Sequence, residues 1–212
     1  MSLRYVLPWM QVQMVEDGGK GSRPAMNSFE TTLDECLATI ESLRGMSPVL
    51  RNAADRCLAA LKRGGKLLVC GNGGSAAEAQ HLTGELVGRY KEDRRPLAAI
   101  TLAADPAVLT CVANDHGFED IFSRQVRALG RPGDVLVAFT TSGKSPDVIP
   151  ALKAAREMGV ESVAFLGRDG GPALPLTDCA LLVKHQDTAR IQEAHQFLMH
   201  CLMDSIESEL GE

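Results

Sequence analysis

The chain has 212 residues, of which 45% are hydrophobic and only 4% aromatic, and a formal net charge of −5. One aliphatic core suits that length and composition, while interspersed charge without a basic, aromatic-laced patch argues against direct nucleic-acid binding. No run reaches the length of a membrane span, and six scattered cysteines with no C-x-x-C spacing imply buried free thiols in a reducing cytoplasm rather than a disulfide framework.

Residues 1–26 form an N-terminal extension and residues 27–212 a single domain. Met1 to Val15 is moderately apolar but broken by Pro8, Gln11 and Gln13, and it lacks a small-residue cleavage site, so it does not fit a signal peptide. Glu16 to Pro24 is a glycine-rich, polar spacer of flexible type, and Met26 is a possible functional start. Asn27-Ser28 opens a helical pattern through Leu33, Leu37, Ile40 and Leu43 that stops at Gly45. Ser47-Pro48 restarts it, serine as N-cap and proline at the first helical position. Leu50, Ala54, Cys57, Leu58 and Leu61 carry the stripe to Gly64-Gly65. Two helices therefore precede the first strand, and a second subunit is a natural cover for their apolar faces.

Lys66 to Cys70 reads as a buried parallel strand. It breaks at Gly71-Asn72-Gly73-Gly74, and a helix follows with Ser75 suited to cap it. A glycine turn between a strand and a helix start is an anion site, because backbone N–H groups close on the ligand and the positive helix end favours phosphate. His81 and Glu85, four apart in that helix, share one face. The turn also fits the G-x-G-x-x-A dinucleotide fingerprint, which wants an acid about 20 residues on, at the end of the second strand. That strand, Leu97 to Leu102, ends instead in Ala103-Ala104, and Asp105 before Pro106 is better explained as a helix cap. A sugar phosphate or similar small phosphate is favoured over a nicotinamide cofactor and over a ligand-free turn.

Asp105-Pro106 starts a short helix to Ala113, Asn114 to Gly117 is a loop, and Glu119 to Leu129 is a further helix. Val135 to Phe139 is a third strand, followed by Thr140-Thr141-Ser142-Gly143-Lys144-Ser145 and a helix from Pro146 to Gly159. Four hydroxyl-bearing residues about one glycine before a helix suit a phosphate monoester. The letters GKS do not make a P-loop, since Ala138 stands where that motif needs its first glycine. Glu161 to Leu166 is a fourth strand, Gly167 to Pro175 a glycine-rich loop, Cys179 to Val183 a fifth strand, and Thr188 caps a long helix to about Glu209. This alternation predicts an α/β fold, a three-layer αβα sandwich on a five-stranded parallel sheet of doubly wound, flavodoxin-like type, with two extra N-terminal helices. In such sheets ligands bind at the strands' carboxyl ends, where both polar turns fall.

On the last helix Gln192, Gln196 and His200 form a polar row among apolar neighbours. Such a row must find partners. It is either a hydrogen-bonded core row or, with His81 and Glu85, part of a four-coordinate zinc site. His195 points elsewhere and reads as structural; His116 and His185 acquire no role from spacing.

At Gly71-Asn-Gly-Gly-Ser75, Ala79-Gln-His-Leu-Thr-Gly-Glu85, Gly88-Arg-Tyr90, Ala113-Asn-Asp115, Ile121-Phe-Ser-Arg124, Thr141-Ser-Gly143 with Ser145, and Arg190-Ile-Gln-Glu193 with His200, the chain resembles the SIS (sugar isomerase) family. The resemblance runs from about Asn27 to Glu209. It is strongest to members that interconvert sedoheptulose 7-phosphate and D-glycero-D-manno-heptose 7-phosphate on the way to ADP-heptose and lipopolysaccharide-type cell-surface glycans. It implies that Asn72, Gly73, Gly74, Ser75, Asn114 and Asp115 contact substrate, and that Thr140, Thr141, Ser142 and Ser145 hold the phosphate. It further implies Glu85 and His200 as the acid/base pair, with Glu85 and Gln192 also touching substrate. One zinc per subunit would sit on His81, Glu85, Gln192 and His200, with no nucleotide cofactor, in a cytoplasmic homotetramer whose active sites lie at subunit contacts, without nucleic-acid or membrane partners. Two departures stand out: residues 1–25 have no counterpart, and Lys144 replaces an asparagine common among members. Two non-enzymatic readings of the same fold are a partner of a replication-initiator protein and a sugar-phosphate-sensing regulatory domain. The first lacks the acid and histidine that here are Glu85 and His200, and the second is usually fused to a helix-turn-helix absent from this extension.

Overall fold

The computed structural model describes residues 28–210; the N-terminal extension and its flexible-spacer reading lie outside the described residues. Five parallel strands, β1 (Leu67–Cys70), β2 (Ala99–Thr101), β3 (Val135–Thr140), β4 (Glu161–Gly167) and β5 (Cys179–Val183), stand in the order β2-β1-β3-β4-β5. That is the doubly wound arrangement, and chain direction across the sheet reverses between β1 and β3. The helices are α1 (Phe29–Glu41), α2 (Ser47–Lys62), α3 (Gly74–Val87), α4 (Pro106–His116), α5 (Ser123–Leu129), α6 (Val148–Glu157) and α7 (Thr188–Leu210). The fold class expected from sequence is the one observed.

Strand alternation divides the core in two. Leu67, Val69, Val135, Val137 and Phe139 face a layer made by α2, α3 and α7, while Leu68, Cys70, Leu136 and Ala138 face α5 and α6. Three strands are buried along their whole length or nearly so, which is why they read as continuous apolar runs. At the amino ends of the strands Asp134 ties β1 to β3. Its carboxylate accepts from Lys66 N at 2.9 Å, Lys66 Nζ at 2.6 Å and Arg131 N at 2.8 Å.

Local chemistry moves several boundaries. Asp105 accepts from the N–H groups of Ala107 and Val108, the capping role expected of it. Ser75 is not a cap: Gly73, at φ 53°, occupies that position and Ser75 lies buried in the first turn. Only glycine enters this conformation freely, so the turn starts the helix two residues early. Asn114 and Asp115 belong to the last turn of α4 rather than to a loop. The helix expected from Pro146 begins at Val148, with Asp147 as cap. Three cysteines, Cys57, Cys70 and Cys179, are buried as expected, but Cys111 is exposed and Cys36 and Cys201 are half-buried.

The two leading helices differ. α2 buries its stripe within the chain, on Ala53, Ala54, Cys57, Leu58 and Leu61, and so needs no second subunit. α1 does not: Phe29, Leu33 and Leu37 are 75%, 44% and 58% exposed, and Phe197 on α7 is exposed as well. Arg190 fastens α1 to α7, pairing with Glu193 through two 2.6 Å hydrogen bonds and donating to the Thr32 carbonyl at 3.1 Å.

The charged turn after α3 has a structural purpose. Arg94, its side chain 3% exposed, donates to the Glu85 and Leu86 carbonyls at the end of α3 and pairs with Glu207 of α7. Glu207 also accepts from the backbone N–H groups of Lys91 and Glu92. Burial alone would raise its carboxyl, but these N–H groups and the guanidinium outweigh burial and hold it below the ordinary range. Stability from such a group is present above the ordinary glutamate pKa of about 4.3 and is lost as pH falls through the lower folded value. Glu207→Gln is therefore expected to cost roughly 3 kcal/mol at neutral pH, the scale of a broken buried pair. Urea unfolding of parent and variant should show that difference narrowing below pH 4; a constant difference would remove the carboxylate from the explanation.

Candidate active site

Both polar turns meet at the reversal point. The turn after β1 and the turn after β3, with the start of α7, enclose a cavity of about 150 Å³ lined by Asn72, Ser75, Phe139, Thr140, Thr141, Ser145, Thr188 and Gln192. Asn72 Nδ2 donates to Asp147 Oδ1 at 2.9 Å, tying one turn to the other beneath the cavity. Thr140 Oγ1 and Ser145 Oγ are 2.9 Å apart, and Thr140 Oγ1 also accepts from the Gly143 N–H. Hydroxyls, an amide and a helix start around so small a space form an anion pocket of phosphate size.

Gly143 makes the second turn possible. It has φ +63°, and a Cβ there would come within 2.0 Å of the Gly170 carbonyl oxygen. Gly74 leaves room for Gln192, whose amide nitrogen a Cβ on Gly74 would meet at 2.3 Å. Ser142 and Asn114 do not line the cavity, nor does Asp115. Ser142 Oγ accepts from Lys144 N at 3.1 Å, while Asn114 donates to Asp115 at 2.7 Å on the exposed end of α4.

A second cluster lies farther along the same two helices. His81, Glu85 and His200 offer ligand atoms all within 4.8 Å of one another, the one such group among the described residues. His81 Nε2 is 2.9 Å from Glu85 Oε1, the imidazoles of His81 and His200 meet edge-to-face at 5.1 Å, and Tyr90 stacks on His200 at 5.8 Å. Both helices start at the cavity, and at 1.5 Å rise per residue Glu85 sits about 15 Å along α3 from Ser75. Helical side chains lean back toward the N-terminus, so Glu85 and His200 lean toward the cavity. Two imidazoles and a carboxylate are a donor set that fits a divalent ion such as zinc. Gln192, the expected fourth ligand, lines the cavity against Gly74; the amide touching both imidazoles belongs to Gln196. His195 is buried against Phe139 and Phe165, and burial pushes it down to about 4, which keeps it neutral.

Two residues were passed over in the sequence. Asp147, fully buried, orients Asn72, and nothing in its spacing pointed to the site. Glu78 is buried on α3 with neither carboxylate oxygen hydrogen-bonded, and burial raises it to about 7. Its helical position, one turn before Leu82, gives it the inward face.

The SIS domain family model matches residues 32–167. A phosphoheptose isomerase of Helicobacter hepaticus is 46% identical over 184 residues, covering 87% of this chain and 94% of its own. One from Paramagnetospirillum magneticum is 49% identical over 185 residues, covering 85% and 96%. The solved structure of the phosphoheptose isomerase of Neisseria gonorrhoeae superposes with a TM-score of 0.80 at 43% identity, covering 84% of this chain and 96% of that one.

A raised carboxyl holds its proton more tightly in the folded state, so stability is present below the unfolded pKa and lost as pH rises through the folded value. The rise of Glu78 from 4.5 to about 7 corresponds to roughly 3 kcal/mol. Glu78→Gln, which cannot ionise, is expected to be more stable than the parent by about that amount above pH 8 and equal to it near pH 4. Denaturation at both pH values checks this, and a variant equal or weaker at pH 8 would contradict it.

Proposed function

We propose that this chain, which belongs to the SIS domain family, is a phosphoheptose isomerase converting the ketose sedoheptulose 7-phosphate to the aldose D-glycero-D-manno-heptose 7-phosphate. The observation carrying the reading is the pairing of a phosphate-sized cavity with a carboxylate and an imidazole placed along the two helices that start at it. On this reading the product feeds ADP-heptose for cell-surface glycan of lipopolysaccharide type.

The chemistry follows from the residues. Thr140, Thr141 and Ser145, with the turn N–H groups and Asn72, hold the phosphate, and Ser75 and Gln192 close the cavity around it. Holding that end limits where the sugar's other end can lie. Glu85, half-buried and hydrogen-bonded to His81, is the base that takes a proton from C1 of the ketose. As the C1–H pair becomes the C1–C2 double bond, the carbonyl oxygen on C2 gains a proton and an enediol forms. Removal of the O1 proton restores a carbonyl at C1, and the carboxyl returns its proton to C2. His200 shuttles the proton between O2 and O1, since a neutral imidazole carries one donor and one acceptor. His81, Glu85 and His200, with an amide from α7, would hold zinc, and a bound divalent ion supplies polarisation of the sugar oxygens.

The exposed face of α1 with Phe197 supports a homotetramer with sites at subunit contacts, and the free-thiol composition a cytoplasmic location. Among the described residues no helix is long and apolar enough to cross a membrane. The presence of both Glu85 and His200 favours an enzyme over the non-catalytic readings.

Glu85→Gln and His200→Asn are each expected to lower kcat about 10²-fold or more while KM changes far less. Ser145→Ala should show the reverse, mainly a raised KM. Steady-state assays on sedoheptulose 7-phosphate, with metal content measured for each variant, decide this; near-normal kcat in a metal-replete Glu85→Gln protein would remove Glu85 as the base. Elemental analysis of protein purified without chelator should find one zinc per chain, and light scattering a fourfold mass. Metal-free protein with full activity, or a monomeric mass at micromolar concentration, would contradict those parts separately.

A further inference from the structure

The proposed chemistry leaves one buried carboxyl group beside the phosphate cavity unused. Asp147 is fully buried at the start of α6. Its Oδ1 accepts from Asn72 Nδ2 at 2.9 Å and from Val148 N at 3.0 Å, while its Oδ2 is enclosed with no hydrogen-bond partner. Asn72 and Ser145, the latter two residues before Asp147, both line the cavity. A single amide therefore separates this carboxyl from whatever the cavity holds. No lysine or arginine lines the cavity to balance an anion there.

Burial pushes the Asp147 carboxyl above the ordinary aspartate range, against the lowering by Asn72 and by backbone N–H groups, and no cation contributes. The charges on the elements packed against it are engaged elsewhere or face solvent. On β1 the Cys70 thiol is pushed up, first by its own burial and then by this carboxylate. Asp120 accepts from Ser123, and Arg127 of α5 pairs with Glu157 at the far end of α6. Glu119, Arg124 and Lys144 are exposed. β3 has no titratable side chain, and β4 only Glu161 at its amino end.

We propose that Asp147 takes up a proton when an anion enters the cavity, and so sets the charge of the anion this site accepts. The inference rests on the reading of the cavity as a phosphate site. Two negative charges separated by one amide in a water-poor interior repel, and a like charge nearby favours the protonated carboxyl. The atoms needed are in place. As an acid, Asp147 keeps Oδ1 as the carbonyl acceptor for Asn72 and Val148, and Oδ2, which has no partner to lose, carries the proton. The link between the two turns thus survives neutralisation. The proton comes from solvent and returns to it when the anion leaves. Affinity is then highest below the Asp147 pKa of the free protein. It falls as pH rises through that value and levels off above the higher pKa of the anion-bound protein.

Sulfate is the probe, because it stays a dianion where phosphate esters lose their second proton, near pH 6. Titration calorimetry of the full chain with sulfate, in two buffers of different ionisation enthalpy, should show net proton uptake on binding. The affinity should fall about tenfold between about pH 5 and about pH 8, the equivalent of one unit of pKa shift. Asp147→Asn retains an amide oxygen for both hydrogen bonds and cannot ionise. It should bind sulfate about tenfold more tightly than the parent near pH 8, approach it near pH 5, and lose that part of the uptake. Histidines titrate in both proteins alike, so the difference isolates Asp147. A variant whose sulfate affinity follows the parent's at every pH would overturn the proposal, as would a parent that binds no sulfate or binds it without taking up a proton. Should the variant fail to fold, the ¹³C shift of the parent's Asp147 carboxyl against pH decides: its midpoint should rise when sulfate is present, and an unmoved midpoint refutes the idea. Proton-linked sulfate binding through Asp147 in a chain that does not turn over sedoheptulose 7-phosphate would uphold the inference and remove the isomerase reading. An active isomerase whose Asp147 midpoint ignores sulfate would do the reverse.

Discussion

The buried pair between Arg94 and Glu207 is the constraint on which the catalytic geometry depends. α3 brings Glu85 and His81, α7 brings His200, and neither helix is connected to the other in sequence. Apolar packing between them through Leu82, Leu86, Leu198 and Leu202 is non-directional and would tolerate a sliding of one against the other. Arg94 removes that freedom. It caps the carbonyls of Glu85 and Leu86 while its guanidinium meets a carboxylate one helix away, so the residue proposed as base is tied at its own backbone to the helix carrying the proposed acid. Desolvating two charges is costly, and replacing such a pair by apolar groups is often neutral for stability. Directionality is what a hydrophobic substitute could not provide.

The same logic recurs at the other end of α3. Asn72 and Asp147 join the two turns by one hydrogen bond, and the cavity exists only because both turns are held at the β1–β3 reversal. α3 is thus fixed at its start by the Asn72 link and at its end by Arg94. A rigid helix held at both ends keeps the distance between phosphate and reacting carbons constant, which is what positioning in catalysis requires.

Much of this was legible in the chain, for identifiable reasons. Fully buried parallel strands appear as short aliphatic runs between glycine turns, so the β–α order and the ends bearing ligands followed directly. His81 with Glu85, and Gln196 with His200, are contacts at helical spacing and could be read. The registry between α3 and α7 could not, because it is set by Arg94 and Glu207, 113 residues apart. That registry puts Gln196 rather than Gln192 against the imidazoles. Ser75 looked like a cap since its side chain suits one, yet a glycine in the left-handed region had already started the helix. The Arg190–Glu193 pair, part of a segment that carries the family resemblance, fastens α1 to α7 through its charged groups. The stripes of α1 and α2 look alike in the sequence, but only that of α1 remains uncovered.

The approach of Gly143 to Gly170 bears on how this pocket could be altered. The two loops touch backbone to backbone: a Cβ on Gly143 would strike the Gly170 carbonyl, and one on Gly171 would come 2.8 Å from the Gly143 oxygen. Neither loop has slack to accept a side chain, and relief of one clash creates strain in the other. Selection for a substrate with a different anionic end therefore finds almost no permissive positions there. The adaptable wall is α7, where Thr188 and Gln192 reach the cavity from a helix whose backbone need not move. Libraries aimed at new acceptor chemistry belong on those two residues, and the glycine loops mark the part of the pocket that evolution must inherit unchanged.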